Sequence, residues 1–380
     1  MTDQHPSTAK RVLFFDQIKA LMIALVIAVH VFLAFLGDWI GVHIAMSGSP
    51  HPFFVGVAVW VISFSNTFFM CMLFLLSGYF VPRSVHKKGV LRYLKDRLLR
   101  LGLPFVGGML LINNVSVLLG RLSPASPLAT LPWRDMPLNH VIVLWFLLVL
   151  FAFDLLYCAW VRLRGDRFAM DTSVPTPKLR SWLISAVVLA FLEVLMVRQT
   201  DLWAVLGRSP LDGLGAQGMH VFTYGFLFFL GCKASFHRWL ERLDAHLVVR
   251  WFRFSVVLAL SLLVIDVVLA FNGAISTQAA KLSVLVSLLN PFIGWGVIAY
   301  LLLWFQRNEN RCGQWLATAG VDSFGAYIIH PLVLVVVLEA IGFIGLNHWL
   351  IYLAATALGI VISFGLSHQL RRIPAIAKVI

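Results

Sequence analysis

The stretch DQIKALMIALVIAVHVFLAFLG, residues 16–37, decides the fold. From Ala20 to Gly37 every residue but one is apolar or glycine, and the exception is His30. At a rise of about 1.5 Å per residue, roughly 20 apolar residues cross the hydrocarbon core of a bilayer as a helix. The first twelve residues are polar, and no small-residue cleavage site follows the apolar run. The run therefore reads as a retained span, not a removed signal peptide.

The rest of the chain repeats this pattern. Of its 380 residues, 60% are hydrophobic and 12% charged, and mean hydropathy is +0.88. A water-soluble surface needs far more charge, and the alternating ten-residue pattern of a membrane barrel is absent. The expected fold is an all-α, polytopic transmembrane helix bundle forming one domain over residues 1–380, with no separate soluble domain. Ten windows qualify as spans: 14–36, 54–81, 101–120, 139–160, 182–197, 217–235, 254–271, 282–305, 316–341 and 349–369.

The basic residues test this count. With both termini placed in the cytosol, the inside segments hold 24 Lys and Arg and the outside segments five, and Lys19 completes the 30. A missed helix would invert every later loop and destroy the asymmetry. Basic loops facing anionic headgroups also account for the net charge of +13 without a nucleic-acid partner. Cys71, Cys158, Cys232 and Cys312 show no metal-ligand spacing and are not expected to form disulfides.

Chemistry is expected where polar residues interrupt the spans. Lys19 and His30 are eleven residues apart, within roughly 20° on one helical face, and Asp16 lies on nearly the same stripe. This arrangement reads either as an interfacial ion pair plus a helix–helix contact or as a path leading inward to a functional histidine. In HKKGVLRYLKDRLLRLGLPF, residues 86–105, Arg97 and Arg100 are spaced to share a face just before the membrane. Two guanidinium groups so placed can clamp a phosphate, or simply bind lipid headgroups. FFMCMLFLLSGYFVP (68–82) brings small residues, Ser77 and Gly78, to one end of a span, as close helix packing requires. SFGAYIIHPLVL (323–334) puts His330 in mid-membrane immediately before Pro331. Asp154, Glu193, Asp266 and Asn290 also fall inside spans, where each can be a satisfied helix–helix contact; in the alternative of a multi-pass transporter or flippase, Asp266, Glu193 and His330 form a proton relay.

Taken in order, the Asp16–Lys19–His30 stripe, FFMCMLFLLSGYF, KDRLLRLGLP, the LWFL…Y segment and YIIHP resemble the acyltransferase 3 family of bacterial integral-membrane acyltransferases. The likeness covers residues 11–370. The glucan biosynthesis protein C-like branch, whose members are read as succinylating periplasmic glucans, is also similar. The resemblance implies an O-acyltransferase in the bacterial inner membrane. It would pass an acetyl or succinyl group from cytosolic acyl-CoA, with no metal, to a hydroxyl of an envelope or exported carbohydrate or glycolipid. It also implies that His30 is the essential first-span histidine and that Arg97 and Arg100 form the R-x-x-R motif holding the phosphates of acyl-CoA. Lys19 is a third candidate for holding the donor; it stands where the family usually has Arg, keeping the charge but losing the planar fork. His330 is a second catalytic candidate. A neutral imidazole suits proton abstraction from a hydroxyl near pH 7.

Overall fold

The structure, a computed structural model, describes residues 12–36, 50–122, 126–139, 141–165, 168–198, 220–342, 344–345 and 347–380. The N-terminal tail with Lys10 and Arg11, and most of the expected outside loops 37–53 and 198–216, lie outside the described residues. In hydrocarbon each backbone N–H and C=O must find its partner within the chain, so apolar runs close into helices. Among the described residues there is no strand. The principal helices are α1 (Leu13–Leu36), α2 (Pro52–Asn66), α3 (Phe69–Lys88), α4 (Val90–Leu122) and α5 (Trp145–Arg164). They continue with α6 (Leu179–Arg198), α7 (Val221–His237), α8 (Ala245–Phe271), α9 (Ile275–Asn308), α10 (Gly313–Gly342), α11 (His348–Leu370) and the short α12 (Pro374–Ala377).

Eight helical stretches among the described residues are long and apolar enough to cross a membrane: α1, α2 with α3, α4, α5, and α8 to α11. The remaining expected windows, 182–197 and 217–235, coincide with α6 and α7, which are 20 and 17 residues long. Residues 217–219 of the second window lie outside the described residues. The expected 54–81 window proves to be two helices. Together α2 and α3 run over 37 residues, far more than a 30 Å core needs. The chain breaks at Thr67–Phe68, where Thr67 Oγ1 donates to Phe64 O at 2.8 Å. α2 then packs chiefly on α8, and α3 on α7.

Hydrogen bonds at one end tie distant helix termini together. Leu13 N donates to Glu309 Oε1 at 2.8 Å, Gln306 Nε2 to Glu241 O at 2.6 Å, and Tyr79 OH to Glu241 Oε1 at 2.6 Å. Arg242 reaches Thr172 O at 2.6 Å and Val174 O at 3.0 Å, docking the segment between α5 and α6 at the same end. The basic segments on either side of residues 90, 170, 240 and 310 thus gather at this end, hereafter the basic end.

Small residues set the closest crossings. A Cβ on Gly78 would strike the backbone carbonyl of Phe228, and one on Gly231 would strike that of Leu75. α3 and α7 therefore meet backbone to backbone, the packing mode that the Ser77-Gly78 pair implied. Gly78→Val is expected to cost about 1–3 kcal/mol or more through overpacking. Denaturant unfolding in detergent would measure this against Gly365→Ala, whose added methyl meets nothing within 4 Å.

Polar residues within the bundle are tied in a second way. Glu193 on α6 accepts from Thr223 Oγ1 and from Asn290 Nδ2 (2.7 Å), and lies 2.9 Å from His220 Nδ1. This wholly buried group joins α6, α7 and α9. Glu193 is thereby a satisfied helix–helix contact, while Asn290 bonds through Nδ2 and its Oδ1 is buried with no hydrogen-bond partner among the described residues. Asp266, buried on α8, has no hydrogen bond to either carboxyl oxygen among the described residues.

Candidate active site

A cavity of about 440 Å³ opens toward the basic end between α1, α3, α4, α5, α10 and the chain after α11. Its walls are built from one or two turns of each helix. α1 contributes Asp16, Lys19 and Ile23, α3 contributes Leu73, Leu76, Ser77 and Phe80, and α4 contributes Arg97, Arg100 and Leu101. Phe146 and Leu150 come from α5, and Gly320, Ser323 and Tyr327 from α10. Lys19, Arg97 and Arg100, expected from separate motifs, therefore face one space.

The cations are held differently. Lys19 Nζ lies 3.2 Å from Asp16 Oδ1, one turn away, and 5.4 Å from the centroid of the Phe80 ring. The backbone of Asp16 is itself pressed against Gly320, where any Cβ would collide with the Asp16 carbonyl, so α1 and α10 cross closely beneath this pair. Arg97 is anchored from behind. Its Nε sits 2.8 Å from Oδ2 of Asp154, a residue with no exposed surface, and donates to Tyr93 OH at 2.9 Å. Tyr93 OH in turn donates to Asp154 Oδ1 at 2.6 Å. A guanidinium engaged through Nε keeps its two terminal NH₂ groups for the cavity side, the fork that grips phosphate oxygens. Arg100 lies within a π-helical turn, Leu98–Gly102, the first of two in α4; the second is Gly108–Asn113. Such turns often accompany functional sites. They leave no mark on hydropathy, so the sequence predicts only a helix here.

His30 and His330 lie 300 residues apart in the chain yet side by side in the bundle, with ring centroids 4.9 Å apart and planes at 62°. His30 Nδ1 is 2.7 Å from Val26 O and His330 Nδ1 is 2.6 Å from Tyr327 O. A carbonyl oxygen only accepts, so both rings carry the proton on Nδ1 and present Nε2 as the basic nitrogen. Nε2 of His330 is buried without a hydrogen-bond partner among the described residues.

Neither histidine lines the cavity. Each sits two turns beyond a lining residue of its own helix, His30 beyond Ile23 and His330 beyond Ser323. Tyr327 borders both places. It lines the cavity, its ring is 5.9 Å from that of His330, and its hydroxyl donates to Val143 O. The expected stripe on α1 therefore divides in two, with Asp16 and Lys19 at the cavity and His30 in the histidine pair.

The sequence places Asp154 inside a span as a candidate helix–helix contact; the structure makes it the support of Arg97. Nothing in the sequence marks Tyr93, Tyr327 or Arg371 as a site residue. A solitary aspartate in an apolar span was the available signal, since such a group is retained only with a partner.

No curated protein and no solved structure matches the chain. The acyltransferase domain of the acyltransferase 3 family matches residues 12–368, from the first turn of α1 to the last of α11. The helices that bring the basic cavity and the histidine pair together are thus the body of that domain, and the chain belongs to the family: it is a multi-pass membrane acyltransferase that transfers groups other than aminoacyl groups.

Proposed function

We propose that the protein is an O-acyltransferase of the bacterial inner membrane. It takes an acetyl or succinyl group from acyl-CoA at the basic end, placed in the cytosol. It passes that group to a hydroxyl of an envelope or exported carbohydrate, as in the glucan biosynthesis protein C-like branch. The observation that carries this reading is the convergence of Lys19, Arg97 and Arg100 on one cavity, with the His30–His330 pair beyond its inner wall.

In this scheme the arginines hold the donor's phosphates and the acyl arm extends past Tyr327 toward the histidines. Nε2 of His30 takes the proton of the acceptor hydroxyl as its oxygen attacks the thioester carbonyl. The C–S bond then breaks, and the departing thiolate recovers the proton from the imidazolium. The Nδ1–H bond to Val26 holds the ring in the tautomer this step needs. His330 is the second candidate for the same role.

The test is to incubate the purified protein, reconstituted in liposomes, with radiolabelled acetyl-CoA or succinyl-CoA and an envelope glycan extract. Label is expected to move to the glycan from one donor and to be lost from that donor in step. If neither donor is consumed, the reading falls and a transporter without chemistry replaces it.

A further inference from the structure

Arg371 follows the last turn of α11 and lines the same cavity as Lys19, Arg97 and Arg100. Among the lining residues these four cations face a single side-chain carboxylate, that of Asp16. Three of the four are built alike. Lys19 is paired with Asp16, Arg97 with Asp154, and Arg371 with Asp322, whose Oδ1 lies 2.8 Å from Arg371 Nη1. The three aspartates are 6%, 0% and 4% exposed. Burying a carboxylate behind a cation costs desolvation free energy, and the return is a cation held in one place before any ligand arrives.

Joining α10 to α11 does not require Arg371. Ser367 Oγ already donates to Asp322 O at 2.6 Å, and His368 Nδ1 lies 2.9 Å from Asp322 Oδ2. Arg371 Nε, meanwhile, is buried with no hydrogen-bond partner among the described residues. A guanidinium fixed by one terminal nitrogen, with an unanswered donor and a place on a basic cavity wall, is suited to a phosphate oxygen.

We infer that Arg371 is a further phosphate-binding residue of the donor site, sharing the cavity lining with Arg97 and Arg100. The inference rests on the acyl-CoA reading above. The ligand class is the polyanionic phosphate portion of the donor. Lipid headgroups offer the same chemistry, so the experiment separates the two sources.

CoA binding would be measured by calorimetry on the wild type, Arg371→Gln and Arg371→Lys in phosphatidylcholine nanodiscs. It would be repeated in discs containing phosphatidylglycerol and over a range of salt. Arg371→Gln is expected to weaken CoA binding about tenfold or more, with Arg371→Lys intermediate because it keeps the charge and loses the fork. The dependence of log Kd on log salt should become shallower, as one ionic contact is lost. A wild type that binds no CoA overturns the donor reading and this inference with it. A wild type that binds CoA with the same affinity and salt slope as Arg371→Gln overturns this inference alone. So does an effect confined to phosphatidylglycerol discs, which would assign Arg371 to a lipid headgroup. A lowered unfolding temperature with unchanged CoA affinity would make it a structural tie and also overturn it.

Discussion

Replacing His30 with alanine is expected to lower acyl transfer by about 10²–10⁴-fold, the usual contribution of a positioned general base. The reasoning starts from the ring's surroundings. With Nδ1 committed to Val26 O, the basic lone pair is on Nε2, next to the His330 ring and one wall away from the cavity. Alanine removes the base and leaves the cations of the cavity in place, Lys19 about three turns away along α1 and the arginines on α4 and after α11. Calorimetry should therefore give donor affinity close to wild type, while turnover with labelled donor collapses. His30→Gln should be as inactive as His30→Ala, because it restores polarity and volume but no proton acceptor of comparable basicity. His330→Ala separates the two histidines, and the double variant shows whether they act as one unit, in which case their losses do not multiply. Full transfer by His30→Ala would remove His30 from the mechanism.

How far the sequence anticipated this arrangement differs from residue to residue, for physical reasons. The spans were legible because the cost of exposing backbone in hydrocarbon forces apolar runs into helices of bilayer length, so α1 or α11 can be read from hydropathy alone. The break at Thr67–Phe68 was not, since two apolar helices meeting at a turn have the same hydropathy as one long helix; only its excess length marked it. His30 was conspicuous as a polar residue in an apolar run. That His330 lies against it is a tertiary contact across 300 residues, and no periodicity within either helix encodes which face meets which. Arg97 and Arg100 were recognisable from their spacing, whereas the π-helical turn carrying Arg100 is a shift of backbone hydrogen bonds with no compositional signature. Arg371 looked like an ordinary interfacial arginine at the end of the last span. Its ion pair with Asp322, 49 residues earlier, is what distinguishes it from its neighbour Arg372.

Asp154→Ala is expected to destabilise the protein by about 3 kcal/mol, the lower part of the range for orphaning one partner of a buried ion pair. The lower part applies because Arg97 keeps 22% of its side-chain surface exposed, so solvent screens some of the stranded charge. The same substitution should weaken CoA binding, since Arg97 loses the carboxylate that holds its Nε and is free to swing from the cavity wall. The two effects are separable by a double-mutant cycle. Arg97→Met alone strands the Asp154 carboxylate in apolar surroundings, whereas Arg97→Met with Asp154→Leu removes both charges and fills the space. The double variant should therefore be more stable than either Arg97→Met or Asp154→Ala, and still bind CoA as poorly as Arg97→Met. Tyr93→Phe removes the hydroxyl shared by both partners and should fall between wild type and Asp154→Ala. Stability would be read from denaturant unfolding in detergent and affinity from calorimetry on the same preparations. If Asp154→Ala unfolds like the wild type and binds CoA equally well, Arg97 does not depend on its buried partner, and the cavity's cations are positioned by the helices alone.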